Sequence, residues 1–550
     1  MVTIGIGLGA RYQQNILPFT SKGTSMPAWI DITIEEVIHT SDRYFSCIAI
    51  GMIDPKYAEP RNGIRLLLRS SSLLTKPESG DRLVGTVELR LPQRAILPGT
   101  FSEWHYCVSH KITLVARAVS DIAVFPDSNR SHDVLWVVQQ SLTNLVQRVF
   151  ESDNARRLAE AMVLGRRERL GRLDRELFSI TGTAHVLSVS GFHVGVITTI
   201  VLLLTAPIGQ RRTLRYTIIL AITWLYVAGT GAASPSVRAG TMATIAMAAL
   251  YLQRWLSALH ILWLAAVVML IIEPVLILSV AFHLSVMAVA GIIVFGKSAV
   301  ELAAPFKLHA VARWILALLV TTIGATLATA PILAIHFGVI PLVGIIANLI
   351  TVPLATVFII TTIVAMGVES IVPSWGMFYG RLGQVVSDTM LSVLHYCAES
   401  QSLTLRGQHF VYTSIVAVVL SVYILRARDV RAALFRTGIS AIAVVLTAFT
   451  VQWFVLSQPL DVTSPHYRMR IIRNAGANAI VVAATPDTQV EWMSPIRSVA
   501  QYCRTYNLRH VYVVTDNSRT FEQWSRYSKR LGLSSMTIVH DSTTVAALLR

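Results

Sequence analysis

Residues 181–204 read TGTAHVLSVSGFHVGVITTIVLLL, and this stretch passes from a polar segment with two histidines into a long apolar run. It opens a series of runs, several of which exceed the roughly 20 apolar residues that cross a lipid bilayer. Of all 550 residues, 53% are hydrophobic and only 14% are charged, and the mean hydropathy is +0.56. Soluble domains carry about 25% charged residues. The composition therefore excludes a single soluble globular protein and predicts a polytopic α-helical membrane protein with soluble parts.

The apolar block occupies residues 185–456 and predicts about ten transmembrane helices. Between Glu176 and Glu273 the sequence contains no acidic residue. The predicted spans are residues 186–206, 213–230, 236–253, 257–272, 275–295, 313–337, 340–367, 383–398, 411–425 and 436–456.

The short loops between these spans differ in basic residues, and this difference predicts orientation, because cytoplasmic loops are enriched in Lys and Arg. If the first span enters from outside, the outer loops carry only Arg406. Both soluble domains then face outward from the inner (cell) membrane. The inner loops carry Arg211, Arg212, Arg215, Arg254, Lys297, Lys307, Arg313, Arg381, Arg426, Arg428, Arg431 and Arg436.

Two flanking regions have the patterns of small soluble domains, and residues 1–28 stay unassigned. Residues 29–118 alternate polar and apolar residues between turn-formers, which predicts five strands in an OB-like β-barrel. A β-sandwich fits the same pattern. Residues 461–550 predict a small α/β domain. The predicted strands are 29–39, 43–53, 63–69, 81–91 and 110–118 in the first domain and 468–473, 478–484, 510–516 and 536–540 in the second, with helices at 490–505 and 520–532.

Residues 134–180 predict amphipathic helices with a strongly basic face. Such helices lie on membrane surfaces or bind polyanions, and the alternative is a solvated basic face docked on the helical bundle. The segment from Leu158 to Phe178 and the two residues before it carry seven arginines, at positions 156, 157, 166, 167, 169, 172 and 175.

The stretch from Thr181 to Val196 holds the most suggestive polar residues. Ser190 and His193 are three residues apart and share a helix face if the helix continues through Gly191. A hydroxyl beside an imidazole is the arrangement of a nucleophile and its base. No carboxylate nearby in sequence would orient the imidazole, so a polar path or a helix-locking role is favoured over catalysis.

A second cluster, GTGAASPSVRAGTM (229–242), predicts a broken or re-entrant segment with Arg238 inside the apolar block. An intramembrane arginine costs roughly 3 kcal/mol or more and needs an anion or water; the alternative is that it reaches the outer interface. Two further clusters, around His283 and from Ala330 to Pro353 with Asn348, combine helix breakers with polar side chains. Structural hydrogen bonding is the default interpretation of both.

The sequence gives little support for a metal site or a nucleotide-binding site. Four cysteines lie far apart without a CxxC pair, and the 15 histidines form no HExxH or HxHxDH motif. No GxxxxGK[ST] loop occurs, which argues against a P-loop NTPase. No cofactor, metal or catalytic residue is therefore expected, and any transport is driven from elsewhere.

At these residues the chain resembles the ComEC family, the inner-membrane DNA channels of natural transformation. The signature H-x4-S-G-x-H appears here as His185, Ser190, Gly191 and His193. The resemblance covers roughly residues 29–456 and includes LPGTFSEWHYC (97–107) in the first domain. The matching blocks, in the family's order, are LGRRERLGRLDRELFSITGTAHVLSVSGFHVGVI (164–197), GTGAASPSVRAGTM (229–242), EPVLILSVAFHLSVMAVAGI (273–292) and PILAIHFGVIPLVGIIANLITVPL (331–354).

This resemblance implies a channel that passes one DNA strand into the cytoplasm, with the OB-like domain as its guide. The implied channel residues are His185, Ser190, Gly191, His193, Arg238, His283 and Asn348. The implied partners are single-stranded DNA, the lipid bilayer, a DNA receptor and a cytoplasmic motor, and the oligomeric state stays open. OB folds stack bases on aromatic residues over a basic groove, a role for which Arg43, Tyr44, Arg65 and Arg69 are candidates; Phe45 is favoured as a core residue.

The chain departs from the family pattern in two ways. Many members carry a C-terminal metallo-β-lactamase-like domain with a His/Asp metal motif; the tail here is too short and lacks it, so no intrinsic nuclease is expected. The pair of spans that usually precedes the OB-like domain is also missing. Either the start lies further upstream or the N-terminus is exported in an unusual way.

Two rival hypotheses come from other functional classes. A secondary transporter of a small anion also suits broken helices around an arginine. An intramembrane hydrolase would use Ser190 and His193. Salt-dependent binding of single strands to residues 29–118 would separate a polyanion channel from the first rival, and an unchanged activity in Ser190→Ala would exclude the second.

Overall fold

The architecture comes from a computed structural model, which divides the chain into two compact units. One unit holds residues 1–93, 104–293 and 343–402, and the other holds 94–103, 294–342 and 403–550. The structure describes residues 26–41, 44–55, 61–70, 77–93, 102–127, 134–187, 191–208, 211–231, 234–303, 309–399, 404–406, 410–425, 460–464, 467–474, 478–484, 510–515 and 536–540.

Five strands near the N-terminus close into a ring of hydrogen-bonded neighbours. Strand β1 (Met26–Ser41) pairs antiparallel with β2 (Tyr44–Pro55) and, through its first half, with β4 (Arg82–Arg90). Strand β3 (Arg61–Ser70) pairs antiparallel with β2 and parallel with β5 (Leu114–Ala118), which pairs antiparallel with β4. The order β1-β2-β3-β5-β4-β1 has no free edge among these five strands. This closure favours the predicted barrel over the predicted β-sandwich.

The ring closes around an apolar core that the alternation of the sequence supplies. Alternate residues of each strand point inward because the side-chain period of a strand is two. Phe45 is buried there, as its favoured core role requires. Outside, Arg82 forms an ion pair with Asp31, which lowers the pKa of that carboxyl. The core contains Ala28, Ile30, Ile32, Ile34, Phe45, Cys47, Ala49, Ile53, Ile64, Leu66, Leu68, Leu83, Val87, Leu89, Leu114, Ala116 and Ile122.

Two elements of this domain were not predicted. A short helix, α1 (Glu103–Ser109), lies in the insert before β5, and a strand, β6 (Ala123–Phe125), pairs with β4. Strand β5 begins at Leu114 rather than at residue 110, because the chain reverses at Lys111, whose φ is 57°. The helix is too short to be stable alone; it is held because Cys107 packs on Ile48 and Leu67, on the outer face of the ring.

The predicted amphipathic helices are present in residues 134–180. They are α2 (Val134–Val149), α3 (Asp153–Met162), a 3₁₀ turn (Arg167–Arg169) and α4 (Arg172–Ile180). Their apolar faces share one buried core with two long helices, α11 (Val343–Ile371) and α12 (Gly376–Glu399). The segment is therefore docked on the bundle, which is the second of the two predicted alternatives.

The hairpin formed by α2 and α3 penetrates this bundle rather than lying along its surface. At the tip of the hairpin, the ring of Phe150 packs against Phe358 of α11, with 5.8 Å between the ring centroids. The first turn of α11 is at Gly344, where the backbone approaches Thr181 closely. About 20 Å of helix rise separates Gly344 from Phe358. The hairpin tip thus contacts α11 about halfway along its length.

A contact at the hairpin tip joins a segment predicted to face outward to a residue predicted on the inner side. Glu151, in the hairpin turn, lies 3.6 Å from Arg381 of α12. Arg381 was assigned to an inner loop from the distribution of basic residues. The contact brings a residue predicted on the outer side next to one predicted on the inner side, so the sidedness of these two segments stays a prediction.

Nine of the predicted spans correspond to described helices, and the tenth, 436–456, lies outside the described residues. By length and composition, α11 and α10 (Ala310–Phe337) qualify as candidate membrane spans, with shorter apolar helices at 193–204, 258–272 and 280–296. The count of ten spans stays a prediction. The remaining helices are α5 (Gly191–Leu204), α6 (Arg212–Gly229), α7 (Ser234–Tyr251), α8 (Ala258–Ile272), α9 (Val280–Ala303) and α13 (Phe410–Leu425).

Several apolar helices bury small residues and expose large ones, although the shared core also buries large side chains such as Phe358 and Met390. In α8, Ala265 and Ala266 are buried, whereas Ile272 is 78% exposed. Helices that pack in a bilayer use small residues at their contacts and turn large apolar residues to the lipid. A water-soluble bundle does the opposite. Further small buried residues are Gly324, Ala328, Ala330 and Ala334 in α10 and Gly376, Gly380, Gly383 and Ser387 in α12.

In the second unit, two predicted outer loops meet each other. Strand β7 (Val339–Pro341) follows α10 and pairs antiparallel with β8 (Thr404–Arg406), which precedes α13. Because paired strands lie side by side, the ends of the two helices that flank them are on one side of the bundle. This agrees with the predicted topology, in which both loops are outside.

The C-terminal residues form a five-stranded mixed sheet, in which one strand was not predicted. The sheet order is β13-β12-β11-β10-β9, with the last three strands in sequence parallel to one another. The added strand, β9, pairs antiparallel with β10. The helices predicted at 490–505 and 520–532 lie outside the described residues. The strands are β9 (Leu460–Ser464), β10 (Tyr467–Asn474), β11 (Asn478–Ala484), β12 (His510–Thr515) and β13 (Met536–His540).

Close packing of the hairpin on α12 predicts a position-specific effect of a methyl group. A Cβ at Gly380 would lie 2.1 Å from the carbonyl oxygen of Val149, whereas one at Gly367 of α11 would meet no atom within 4 Å. We expect Gly380→Ala to destabilise the folded protein by about 1–3 kcal/mol and Gly367→Ala to leave it unchanged or slightly more stable. Thermal midpoints in detergent, read by size-exclusion chromatography, would show the difference. Equal midpoints would mean that the hairpin does not pack here.

Candidate functional site

Two helices of the first unit begin side by side, and this places the predicted channel residues. Helix α5 starts at Gly191 and helix α7 starts at Ser234. A Cβ on Gly191 would lie 3.8 Å from the carbonyl of Pro235 and 3.4 Å from the Cβ of Ala239. Both are ordinary van der Waals distances, so the two first turns lie side by side with room for a Cβ at Gly191. The N–H groups of a first turn have no intrahelical partner (Pro235 has no N–H), and together with the helix dipoles they make this end of the pair electropositive.

Arg238 lies in the second turn of α7 and points toward Gly191. Its Nη2 atom would be 3.4 Å from a Cβ on Gly191, and its side chain is only 4% exposed. Within the described part of the chain, its Nε and Nη1 atoms are buried without a hydrogen-bond partner. Arg238 is therefore buried among the described helices, and its depth in a bilayer, midway or near the outer interface, stays a prediction.

His193, in the first turn of α5, belongs to the same region. It is 2% exposed and lies within electrostatic range of His185 and Arg167. His185 precedes the helix in a turn, where it hydrogen-bonds to the backbone of Gly182 and is exposed. Arg167, His185, His193 and Arg238 together form a group that we call the basic cluster. Three segments contribute to it: the 3₁₀ turn, the loop at 181–187, and the paired helices α5 and α7.

Arg167 is the member of the basic cluster that lies nearest to the β-ring. Its side chain is accessible to solvent, yet the protein around it lowers the pKa of its guanidinium, an effect that Glu36 and Glu168 oppose. Because the side chain of Arg167 is both exposed to solvent and surrounded by protein, it lies in a recessed position that water still reaches. Glu36 belongs to β1, so Arg167 connects the ring electrostatically with His193.

The β-ring is attached to the helical part at two further points. Arg175 of α4 hydrogen-bonds to His39 of β1, and Lys111 forms a 2.7 Å ion pair with Glu273 at the end of α8. The predicted topology places Glu273 in an outer loop. The ring therefore docks at the end of the bundle predicted to face outward, next to Arg167.

The remaining predicted channel residues are Ser190, His283 and Asn348. Ser190 lies outside the described residues. His283 is half-buried in the first turn of α9, and Asn348 is 8% exposed in α11 with its Oδ1 atom lacking a partner among the described residues. No described contact joins either of them to Arg238.

The candidate DNA-contacting residues of the β-ring are only partly described. Arg43 and the side chain of Tyr44 lie outside the described part. Arg65 pairs with Glu35 and donates a 2.7 Å hydrogen bond from Nη1 to the carbonyl of His110, so its guanidinium already has a role within the protein. Arg69, on the same strand, is half-buried. A DNA-binding role for these residues stays a prediction.

Sequence reasoning missed the place of Arg167 in the site. It is one of seven arginines in its segment, and no spacing distinguishes it from its neighbours. Arg166 donates to Thr143 and to Glu168, and Arg156 donates to the carbonyl of Phe150. Only the fold separates these structural arginines from Arg167. Among the residues that the structure describes, no group of three or more His, Cys, Asp or Glu side chains could hold a metal ion.

Residues 162–429 match the family model described as Competence protein. The chain is 23% identical to recombination protein 2 of Haemophilus influenzae over 357 residues, which are 62% of this chain and 43% of that protein. It is 24% identical to ComE operon protein 3 of Bacillus subtilis over 293 residues, 53% of this chain and 36% of that protein. The chain thus spans less than half the length of these curated relatives. No solved structure matches it.

These matches confirm the resemblance to the ComEC family. All four residues of the basic cluster lie within the matched range.

The geometry predicts different accessibility for the two histidines of the motif. A cysteine that replaces exposed His185 should react with a water-soluble maleimide on the order of ten times faster than one that replaces buried His193. The background is Cys503→Ser, because the cysteines within the described residues are buried. Labelling is followed by mass spectrometry. Equal rates would show that His193 is not shielded.

Proposed function

We propose that this chain, whose residues 162–429 form a domain of the competence-protein family, takes part in DNA uptake as an inner-membrane channel for single-stranded DNA. The observation that carries the proposal is the basic cluster in the matched domain. Three of its four basic side chains lie between Glu176 and Glu273, where the sequence contains no acidic residue, and the fourth, Arg167, has Glu36 and Glu168 within electrostatic range. A path lined by one sign of charge inside low-dielectric walls concentrates ions of the opposite sign. DNA strands carry one negative charge per nucleotide, so the cluster suits such a strand.

The packing of the helices supports a polytopic membrane protein. Small residues fill the helix contacts, and large apolar side chains such as Ile272 and Leu225 face outward. Exposed Trp255 and Trp375 follow the ends of α7 and α11, and tryptophan is enriched at membrane–water interfaces. Placing this block in the inner membrane, with both soluble domains outside, rests on the distribution of basic residues among the loops.

The β-ring is the proposed guide for the incoming strand. It has the strand order of a closed five-stranded barrel, and its contacts with Arg175 and Glu273 hold it beside Arg167. A strand that leaves the ring would therefore meet Arg167 before His193 and Arg238. The proposed partners are a DNA receptor on the outer side and a motor protein in the cytoplasm, since the sequence holds no P-loop.

The chain is not expected to be an enzyme. The conversion of duplex DNA to a single strand is therefore assigned to another protein. An assay of purified protein on labelled duplex DNA with Mg²⁺, Mn²⁺ or Zn²⁺ tests this expectation, and metal-dependent degradation would contradict it.

A second candidate is a transporter of a small anion. The buried guanidinium of Arg238 favours it, because a single small anion would satisfy the Nε and Nη1 atoms that lack partners among the described residues. The basic cluster argues for a longer ligand, since Arg167 and His185 extend the charge toward the β-ring. An anion transporter would leave DNA entry unchanged when the gene is deleted.

The proposal is tested by following labelled duplex DNA in a deletion strain. Without the protein, we expect DNA to become protected at the cell surface but not to reach the cytoplasm, and the wild-type gene should restore entry. Unchanged transformation in the deletion strain would overturn the channel and favour the small-anion transporter.

Arg167 offers a sharper test of the path. Reversing its charge with Arg167→Glu places a like charge beside the passing phosphates and should reduce DNA entry by about tenfold or more. The matched control is Arg148→Glu, the same charge change at an exposed position of α2. Membrane levels of both variants are measured by immunoblot. If both variants transform like wild type, the strand does not pass Arg167.

A further inference from the structure

We propose that Arg238 and the adjoining first turns of α5 and α7 form a binding site for one phosphodiester group. The inference rests on the proposed function for the identity of its main ligand, the backbone of a DNA strand. A phospholipid headgroup presents the same chemistry, and the experiment below separates the two sources.

The first argument is the unsatisfied charge of Arg238. A buried guanidinium that lacks partners loses its hydration without compensation, which is costly unless an anion or water replaces it. Arg238 is 4% exposed, and two of its three nitrogens lack a hydrogen-bond partner among the described residues. No ion pair within the described residues involves it. An anionic ligand supplies what the protein there does not.

The second argument is the pair of helix first turns beside it. The N-terminus of a helix binds anions through its free N–H groups and its dipole. Helix α5 is 14 residues long and α7 is 18, and they begin together at Gly191 and Pro235. A Cβ at Gly191 would be in van der Waals contact with Nη2 of Arg238, at 3.4 Å. Two first turns and one guanidinium thus lie side by side.

The third argument concerns the kind of anion. Guanidinium is planar and offers several N–H donors, which match phosphate oxygens better than an ammonium group does. His193, buried in the first turn of α5, adds a second nitrogen-bearing side chain to the same region. Arg167 lies further toward the β-ring, where a neighbouring phosphate of the same strand would be. The presence of several basic side chains in the basic cluster favours a ligand with repeated phosphodiesters over a single carboxylate.

On this proposal, the site is one binding position for the strand, near the predicted outer end of the bundle. Arg238 is in the second turn of α7, which is about 6 Å of helix rise from the start of that helix. A phosphate there is drawn out of water into the bundle by fixed charges. Its neighbours follow as the strand moves.

The experiment measures binding by the purified full chain. Affinity for a fluorescein-labelled oligothymidylate is determined by anisotropy at several salt concentrations. For Arg238→Gln we expect affinity to fall about fivefold to tenfold and the slope of log K against log salt to decrease by about 0.7, the value for one phosphate on a single strand. Arg238→Lys keeps the positive charge but not the planar set of N–H donors, so its affinity should lie between those of the wild type and Arg238→Gln. The control Arg254→Gln, an exposed arginine beyond α7, should keep the wild-type slope.

A steric variant tests the site without changing charge. The Cβ and methyl groups of Gly191→Val would press on Nη2 of Arg238 and should reproduce the loss, whereas Gly195→Val, one turn along α5 where a Cβ meets nothing within 4 Å, should bind like wild type. Thermal midpoints in the same detergent show whether each variant folds. If Arg238→Gln does not fold, this glycine pair carries the test.

A second measurement identifies the source of the phosphodiester. Anionic phospholipid retained by each purified variant is quantified by mass spectrometry after exposure to vesicles of phosphatidylglycerol and phosphatidylethanolamine. Loss of oligonucleotide binding in Arg238→Gln identifies DNA as the ligand. Loss of retained phosphatidylglycerol with unchanged oligonucleotide binding identifies the lipid headgroup. If neither changes in Arg238→Gln and Gly191→Val, the site is overturned, even where deletion of the gene abolishes DNA entry.

Discussion

The buried guanidinium of Arg238 is the constraint around which the helical part of this protein is organised. A charged arginine in an apolar interior costs roughly 3 kcal/mol even by lenient insertion scales. It is tolerated only where an anion, water or fixed dipoles compensate. Here the dipoles of the first turns of α5 and α7 supply part of that compensation. On the proposal above, a phosphodiester ligand supplies the remainder, which would link the stability of the site to its function.

Helix contacts elsewhere in the bundle depend on small residues for a related reason. Lipid tails are as apolar as leucine side chains, so helices gain little from burying large apolar groups against each other. Close backbone approach at Gly344, Gly380 and Gly383 provides the attraction instead. Gly380 and Gly383 also leave room for the tip of the α2–α3 hairpin. The arginines near this hairpin would be costly to place in a lipid bilayer without such contacts. The hairpin thereby brings the 3₁₀ turn, and Arg167 within it, to the start of α5.

The accuracy of the sequence-based expectations follows from the range of the interactions involved. Long apolar helices and alternating strands are specified locally, so α7, α8, β3 and β11 lie within a few residues of their predicted positions. Helix α1 and strands β6 and β9 were missed because each is short and is held by packing or pairing with a distant element. The matched competence domain agrees with the resemblance found in four sequence blocks, since those blocks hold the turns and polar residues of the site.

The sequence alone predicts an apolar helical block, a barrel-like domain ahead of it and an α/β domain behind it. It also contains a family motif around His185 and His193. These features depend on periodicity, charge distribution and motif spacing, all of which are readable along the chain. The tertiary structure decided that Arg238 is buried beside Gly191, that the basic helices enter the bundle, and that Arg167 faces His193. Those facts depend on which helices lie side by side. Contacts between residues far apart in sequence determine that arrangement, and no local pattern encodes it.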